Sequence, residues 1–124
     1  MSSASPRGRK IEAQLQRVLS SLIAREVKDP RVGNVTITAV GLSADMALAR
    51  VFFVPFASTH PPQEVCRGLT HAGGFLRGAV GRALGLRHAP RLEFVFDDTA
   101  DKAAQLTGAI DRAVAQDQSK HKGD

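Results

Sequence analysis

The sequence predicts an α+β domain: a three-stranded sheet with helices packed on one face, in the order α-β-β-α-kink-α-β, followed by a C-terminal helix. Three observations predict it. Apolar residues recur at helical spacing from Arg9 to Lys28. Alternation replaces that spacing after Gly33. Helical spacing then returns from Gln63, interrupted once by Ala72-Gly73-Gly74, before a last alternating run from Arg91 to Asp97. A chain of 124 residues, 43% hydrophobic and 23% charged, suits one domain of this kind. With six Phe but no Trp or Tyr, the core must be largely aliphatic.

Residues 1–8 are small and polar and read as a disordered arm, leaving the folded unit to residues 9–98. In the first helix Ile11, Leu15, Val18, Leu19, Leu22 and Ile23 form one stripe, with Lys10, Arg17 and Lys28 on the opposite side. Asp29-Pro30 ends it, because the residue before proline is pushed out of the α region. Beyond Gly33, Val35, Ile37 and Ala39 face one way and Thr36 and Thr38 the other. Ser43-Ala44-Asp45 is expected to turn the chain into a second strand, Met46 to Phe56, giving an antiparallel pair. Pro61-Pro62 suits a helix start. Val65, Cys66 and Leu69 then share a face, with Cys66 expected to be buried. Glycine costs a helix about 1 kcal/mol relative to alanine, so Gly73-Gly74 predicts a kink or break. Leu76, Ala79, Val80, Ala83 and Leu84 form the next stripe, and Gly85 stops the helix. Leu92, Phe94 and Phe96 point inward from the third strand. Asp98 is placed to cap a last helix, assigned to residues 99–115, and residues 116–124 form a flexible tail.

The net charge of +5 favours an anionic partner, and its distribution says more than its sum. Seven basic and three acidic residues lie between Arg7 and Arg31, and five Arg with no acid lie between Arg67 and Arg91. Brought together by folding, these blocks would make one cationic surface. A lone Cys66 excludes an internal disulfide and any cysteine-based metal cluster. No apolar run approaches a membrane span, and Met1–Gly8 lacks the apolar centre of a signal peptide. A reduced, soluble, cytoplasmic monomer with no membrane association is expected.

The glycine break is the most informative motif. It would let a nucleic-acid backbone approach a helix start closely, although glycine is also simply the least costly residue at an interhelix corner. Gly78-Ala79-Val80-Gly81 matches the GxxG signature of nucleic-acid-binding KH domains in letters only, because it lies inside a helical stripe. Gly78 and Gly81 would still leave a flat strip beside Arg77 and Arg82, or else merely line a wet helix face. Lys10, Arg17, Arg25, Lys28 and Arg31, with Arg77, Arg82, Arg87 and Arg91, suit salt-dependent phosphate contacts; singly, each reads as a solvated charge before it reads as a contact, and the acid-free run from Arg67 to Arg91 shifts that block toward contact. Asp97, Asp98 and Asp101 raise a magnesium site, against which stands capping of the last helix. His60, His71, His88 and His121 have no metal-ligand spacing. No catalytic set can be assembled, and neither metal nor cofactor is expected.

Three segments carry a resemblance. Glu26-Val27-Lys28-Asp29-Pro30-Arg31-Val32-Gly33 with Val35-Thr36-Ile37-Thr38, then Ala72-Gly73-Gly74-Phe75-Leu76-Arg77, then the run from Leu84 to Asp98, resemble in order and register the bacterial ribosome-binding factor A family, from about Arg7 to Ile110. The resemblance implies a type II KH-like fold in which the GxxG loop is replaced by an Ala-x-Gly kink, which Ala72-Gly73-Gly74 fits. It implies binding to 16S rRNA within the free 30S subunit, promotion of late 16S rRNA maturation near the 5′ end, a role in cold adaptation, and release before translation, with assembly GTPases helping in some bacteria. Tyr positions typical of the family in the second and third strands are Phe here, so no phenolic hydroxyl acts there. Nothing is carried over to the acidic C-terminal segment.

The RNA-binding expectation therefore rests on Lys10, Arg17, Lys28 and Arg31, on Ala72, Gly73 and Gly74, and on Arg77, Gly78, Gly81, Arg82, Arg87 and Arg91. Its alternatives are a protein–protein adaptor working through the sheet face or last helix, and a small metal-dependent nuclease built on Asp97, Asp98 and Asp101.

Overall fold

The computed structural model describes residues 5–107. The elements follow the order α1 (Pro6–Glu26), β1 (Asn34–Leu42), β2 (Leu48–Phe56), α2 (Pro62–His71), α3 (Gly73–Leu84) and β3 (Arg91–Phe96). Residues 99–107 are the described part of a further helix, α4; the rest of the expected 99–115 helix and the 116–124 tail lie outside the described residues. No helix among the described residues is long and apolar enough to cross a membrane.

Helix α1 buries Ile11, Leu15, Leu19 and Ile23, the stripe its periodicity predicts. It starts at Pro6 rather than Arg9, so residues 6–8 are not part of an arm. The Ser5 hydroxyl caps the helix by accepting the Gly8 N–H at 3.2 Å, and Pro6 occupies a first-turn position that needs no amide partner. It also stops at Glu26, short of Lys28, because Val27 turns extended and packs on the core. In the turn that follows, the Asp29 carboxylate accepts the Arg31 backbone N–H at 3.0 Å and grips its guanidinium at 2.6 and 3.0 Å.

The sheet order is β1-β2-β3, antiparallel between β1 and β2 and parallel between β2 and β3. The alternation predicted for β1 holds only as far as Ile37. A bulge between Ile37 and Ala39 makes Thr38 an extra residue, so Ala39 is exposed while Val40 and Leu42 face the core. The bulged Thr38 hydroxyl donates to the Asp97 carboxylate at 2.6 Å, tying β1 to the far end of β3. The β1–β2 turn uses residues 43–47 rather than three, because Met46 adopts a left-handed conformation (φ 59°) and cannot extend the strand. Ser43 and Asp45 hold it: the Asp45 carboxylate accepts the Ser43 hydroxyl and the Ala47 N–H.

Helix side chains cover both sheet edges. Glu12, 8% exposed, accepts the Leu42 N–H at 2.6 Å, and the Gln16 amide donates to the Ile37 carbonyl at 2.9 Å. On the other edge the thiol of Cys66, half-buried rather than fully buried, donates to the Phe94 carbonyl at 3.2 Å. Satisfying edge groups in this way blunts strand-to-strand association. Ala49, Val51 and Phe53 of the central strand are fully buried in one core cluster with Val65 and Leu69 of α2 and Leu76 and Val80 of α3.

Helices α2 and α3 meet at one residue, Ala72 (φ −83°, ψ 0°), which ends the first and begins the second. The expected break is therefore present, and the Gly85 stop is as well: Gly85 is left-handed (φ 63°), with the Leu86 N–H returning to the Gly81 carbonyl at 2.9 Å. Helix α2 sits so close to the α1–β1 turn that a methyl at Gly68 would stand 2.7 Å from Val32 Cγ2.

Two outcomes follow from this packing. Gly68→Ala should lower the urea midpoint, since overpacking against the fully buried, β-branched Val32 costs about 1–3 kcal/mol and outweighs the gain in helix propensity of about 1 kcal/mol. The Arg31 guanidinium and backbone N–H hold the Asp29 carboxyl down, from its usual 3.8 to about 2. A depressed carboxylate stabilises the fold fully above the unfolded value and loses that contribution as pH falls toward the folded one. The melting-temperature gap between the native chain and Asp29→Asn should therefore be constant above the usual value of 3.8 and close as pH approaches about 2.

Candidate nucleic-acid interface

Helix α3 buries Leu76 and Val80, which turns Gly74, Arg77, Gly78 and Arg82 outward. Past the Gly85 stop, residues 86–89 fold back beside this face and close a shallow recess of about 690 Å³, lined among others by Arg77, Arg82, Arg87 and His88. Arg77 lies along the recess, its Nε donating to the Ala89 carbonyl at 3.0 Å. A second recess of about 410 Å³ shares Arg77, Arg87 and His88 and adds Arg7 from the start of α1. The early helical start at Pro6 makes this possible, and it joins the two basic stretches at one place. Asp45 also lines this recess; the Ser43 hydroxyl and the Ala47 N–H keep its carboxyl below the usual range, so one fixed negative charge sits among the arginines.

The remaining predicted cations are distributed differently. Lys10 and Arg17 are exposed on α1, and Arg17 borders a surface hollow with Ala13, Gln16, Ser20 and Ser21 that no residue of the second basic block lines. Lys28 lies beyond the end of α1 and no longer continues the Lys10–Arg17 line. Arg31 is committed to Asp29 and faces a separate groove of about 800 Å³ with Arg67, Cys66, His71 and Phe96. Arg91 is exposed at the first position of β3, where its backbone N–H donates to the Ala47 carbonyl. Folding thus gathers Arg7, Arg77, Arg82 and Arg87, and leaves Arg31 with Arg67 on another groove; the two share no lining residue, His71 bordering one and Gly74 the other across the kink.

The glycines divide in the same way. A methyl on Gly73 or Gly74 would meet nothing within 4 Å, and neither has a left-handed backbone, so the protein's own packing does not require glycine there. Gly78 faces only the Arg82 guanidinium, 3.4 Å from where its Cβ would stand. Gly81 is not part of an open strip, because Ala89 covers it at 3.4 Å. No side chain caps the start of α3.

The acidic corner is structural. Asp97 accepts the Thr38 hydroxyl and the Thr99 N–H at 3.0 Å, and both lower its pKa, the Thr38 hydroxyl most. Asp97 rather than Asp98 thus receives the backbone amide at the start of α4, while Asp98 pairs with Lys102 at 3.4 Å. Among the described residues no three His, Cys, Asp or Glu side chains gather as a metal ion would need; His121 lies outside them. Two residues missed in the sequence are Arg7, placed in the arm although Ser5-Pro6 is a helix-start signal, and Phe75, half-exposed beside the kink.

The family described as ribosome-binding factor A matches residues 7–110. The chain is 44% identical over 118 residues to ribosome-binding factor A of Thioalkalivibrio sulfidiphilus, covering 95% of this chain and 92% of that one. Among solved structures it is similar to the crystal structure of ribosome-binding factor A from Thermus thermophilus, with 33% identity and a TM-score of 0.62 over 70% of this chain and 92% of that one. It is also similar, at 33% identity and a TM-score of 0.60 over 71% of this chain and 92% of that one, to a homology model of the T. thermophilus factor fitted into a cryo-electron microscopy map of a complex of that factor with the 30S subunit.

The open glycine positions separate folding from binding. Gly74→Ala should leave the melting temperature unchanged or raised, by up to roughly 0.5–1 kcal/mol in stability, because the methyl is unopposed and helix propensity improves. The same variant should bind RNA several-fold more weakly in fluorescence anisotropy; equal weakening of fold and binding would show that the glycine serves only the corner.

Proposed function

The chain belongs to the ribosome-binding factor A family, and on that premise we propose that it is a non-catalytic binding factor of the free 30S ribosomal subunit. It docks through the face of α3 and the residues 86–89 behind it, and there assists late maturation of 16S rRNA near the 5′ end. The observation that carries this reading is the gathering of Arg7, Arg77, Arg82 and Arg87 around two adjoining recesses, next to an elbow of uncrowded glycines.

The chemistry required is electrostatic. Arg77, Arg82 and Arg87 have no carboxylate within ion-pair distance among the described residues, whereas Arg31, Arg50 and Arg67 are paired with Asp29, Glu93 and Glu64. Unpaired guanidinium groups are free to take phosphate oxygens and displace condensed counterions. Each phosphate neutralised adds roughly −0.7 to −0.9 to the slope of log affinity against log salt. Gly73 and Gly74 leave the start of α3 bare, so a sugar-phosphate chain can come close to it. Maturation is served by holding rRNA in place, with no bond made or broken by the protein.

A second reading, an adaptor for another protein, draws on exposed Phe56 and Leu106, which line neither recess. Ionic strength separates the two, because an apolar interface resists salt while a phosphate-reading one does not.

In a sucrose gradient the protein should travel with free small subunits and be absent from polysomes; the reverse distribution would overturn the reading. Reversing charge with Arg77→Glu and Arg82→Glu should abolish co-sedimentation and flatten the salt slope while leaving the circular dichroism spectrum unchanged, since both side chains lie off the buried stripe.

A further inference from the structure

We propose that Phe75 is a stacking platform for an unpaired nucleobase of the RNA, giving the interface a preference for single-stranded over duplex segments. The inference rests on the function proposed above and adds to it the kind of nucleic acid this face takes.

The aromatic rings of the chain have unequal duties. Phe53 and Phe94 are buried, and Phe96 meets Phe53 edge-on at 6.2 Å between ring centres. Phe75, in contrast, is 50% exposed, in the first turn of α3 immediately after Gly73 and Gly74. Folding does not demand a ring there, because the buried stripe of α3 passes through Leu76 and Val80 instead. One turn ahead on the helix surface stand Gly78 and Ala79, too small to cover the ring. Behind it the two glycines open onto empty space. The ring is therefore approachable across a low, uncrowded surface.

What lies around it selects the occupant. No Asp or Glu occurs between Arg67 and Arg91. Arg82, two helical turns on, shares the ring's side of α3 and lines the recess that begins at Gly74, while Arg77 lines that recess from the far side of the helix. An apolar plane with the unpaired Arg82 guanidinium two turns along the same helix face matches a short run of nucleotides, whose bases offer flat π-faces and whose phosphates offer charge. A ring standing on a helix cannot slide between the stacked pairs of A-form RNA, so it selects bases already splayed out.

The test uses the full chain and three substitutions, with a short oligoadenylate, its duplex with oligouridylate, and free small subunits as probes. Because the chain has no Trp, Phe75→Trp places a single indole at this position. Its emission should be quenched by the single strand and by subunits, far less by the duplex, with affinity kept close to that of the native chain. Phe75→Ala should weaken binding roughly tenfold or more, the range alanine substitution shows for base–aromatic stacking. Phe75→Leu, which keeps apolar bulk without a π-face, should be as weak as alanine, and all variants should keep the native salt slope. Full affinity in Phe75→Leu, or a blue shift on subunits without quenching, would assign the ring to a protein contact and overturn the proposal; so would full affinity in Phe75→Ala. If the native chain itself fails to bind subunits, the function proposed above falls, and the quenching by oligoadenylate still decides whether the ring stacks.

Discussion

A parallel strand forces the rest of this molecule. Because β3 runs alongside β2 in the same direction, the chain must leave one end of the sheet and return to the other. It crosses on two short helices rather than one long rod. The bend at Ala72 lets Val65 and Leu69 on one helix and Leu76 and Val80 on the next both reach the sheet, each pair fully buried. An elbow bent inward toward the core necessarily presents its outer side to solvent. The exposure of glycine and phenylalanine on that outer side is thus a consequence of topology, and α1, docked on β1 and α3, brings Arg7 to the recess formed by residues 86–89 past the other end of α3.

Periodicity made most of this framework legible. The α1 stripe, the two long strands, the break at residues 72–74 and the stop at Gly85 all follow from local spacing and from glycine's cost in helices. What escaped was set by contacts distant in sequence. The phase change in β1 accompanies a bulge whose Thr38 hydroxyl reaches Asp97, 59 positions away, and no pattern within nine strand residues reports that partner. The covering of Gly81 depends on where the connector folds after Gly85, which composition does not encode. The commitment of Arg31 was closer to hand: an Asp two residues before an Arg, around a proline, is a local clamp that counting charge alone overlooks.

Counting basic residues overstates the interface, because an arginine's availability depends on its neighbours. Arg31, Arg50 and Arg67 each have a carboxylate within 4 Å, at 2.6, 3.7 and 3.0 Å respectively. Surface pairs of this kind add little stability, yet they lower the local field that a polyanion meets. The acid-free sequence between Arg67 and Arg91 has the opposite effect: it ensures that Arg77, Arg82 and Arg87 find no partner on their own segment. The absence of acids is therefore the more informative sequence signal, and the structure adds Arg7 to it from a segment some seventy residues earlier.

The glycines of the crossover allow the demands of folding to be separated from those of a partner. At Gly68 the reason for glycine is internal, since any larger residue meets Val32 at 2.7 Å. At Gly73 and Gly74 no such reason exists: space is open, the backbone is not left-handed, and alanine would favour the helix by about 1 kcal/mol in an interior position. On the function proposed above, glycine at these positions leaves room for an RNA backbone to approach the start of the helix. Next to these glycines stands an exposed ring, with unpaired Arg82 further along the same helix, so the partner proposed above would be flat in one part and anionic in another. Nucleotides meet both requirements at once, whereas a protein surface would have to supply an apolar pocket and a set of carboxylates in the same small area.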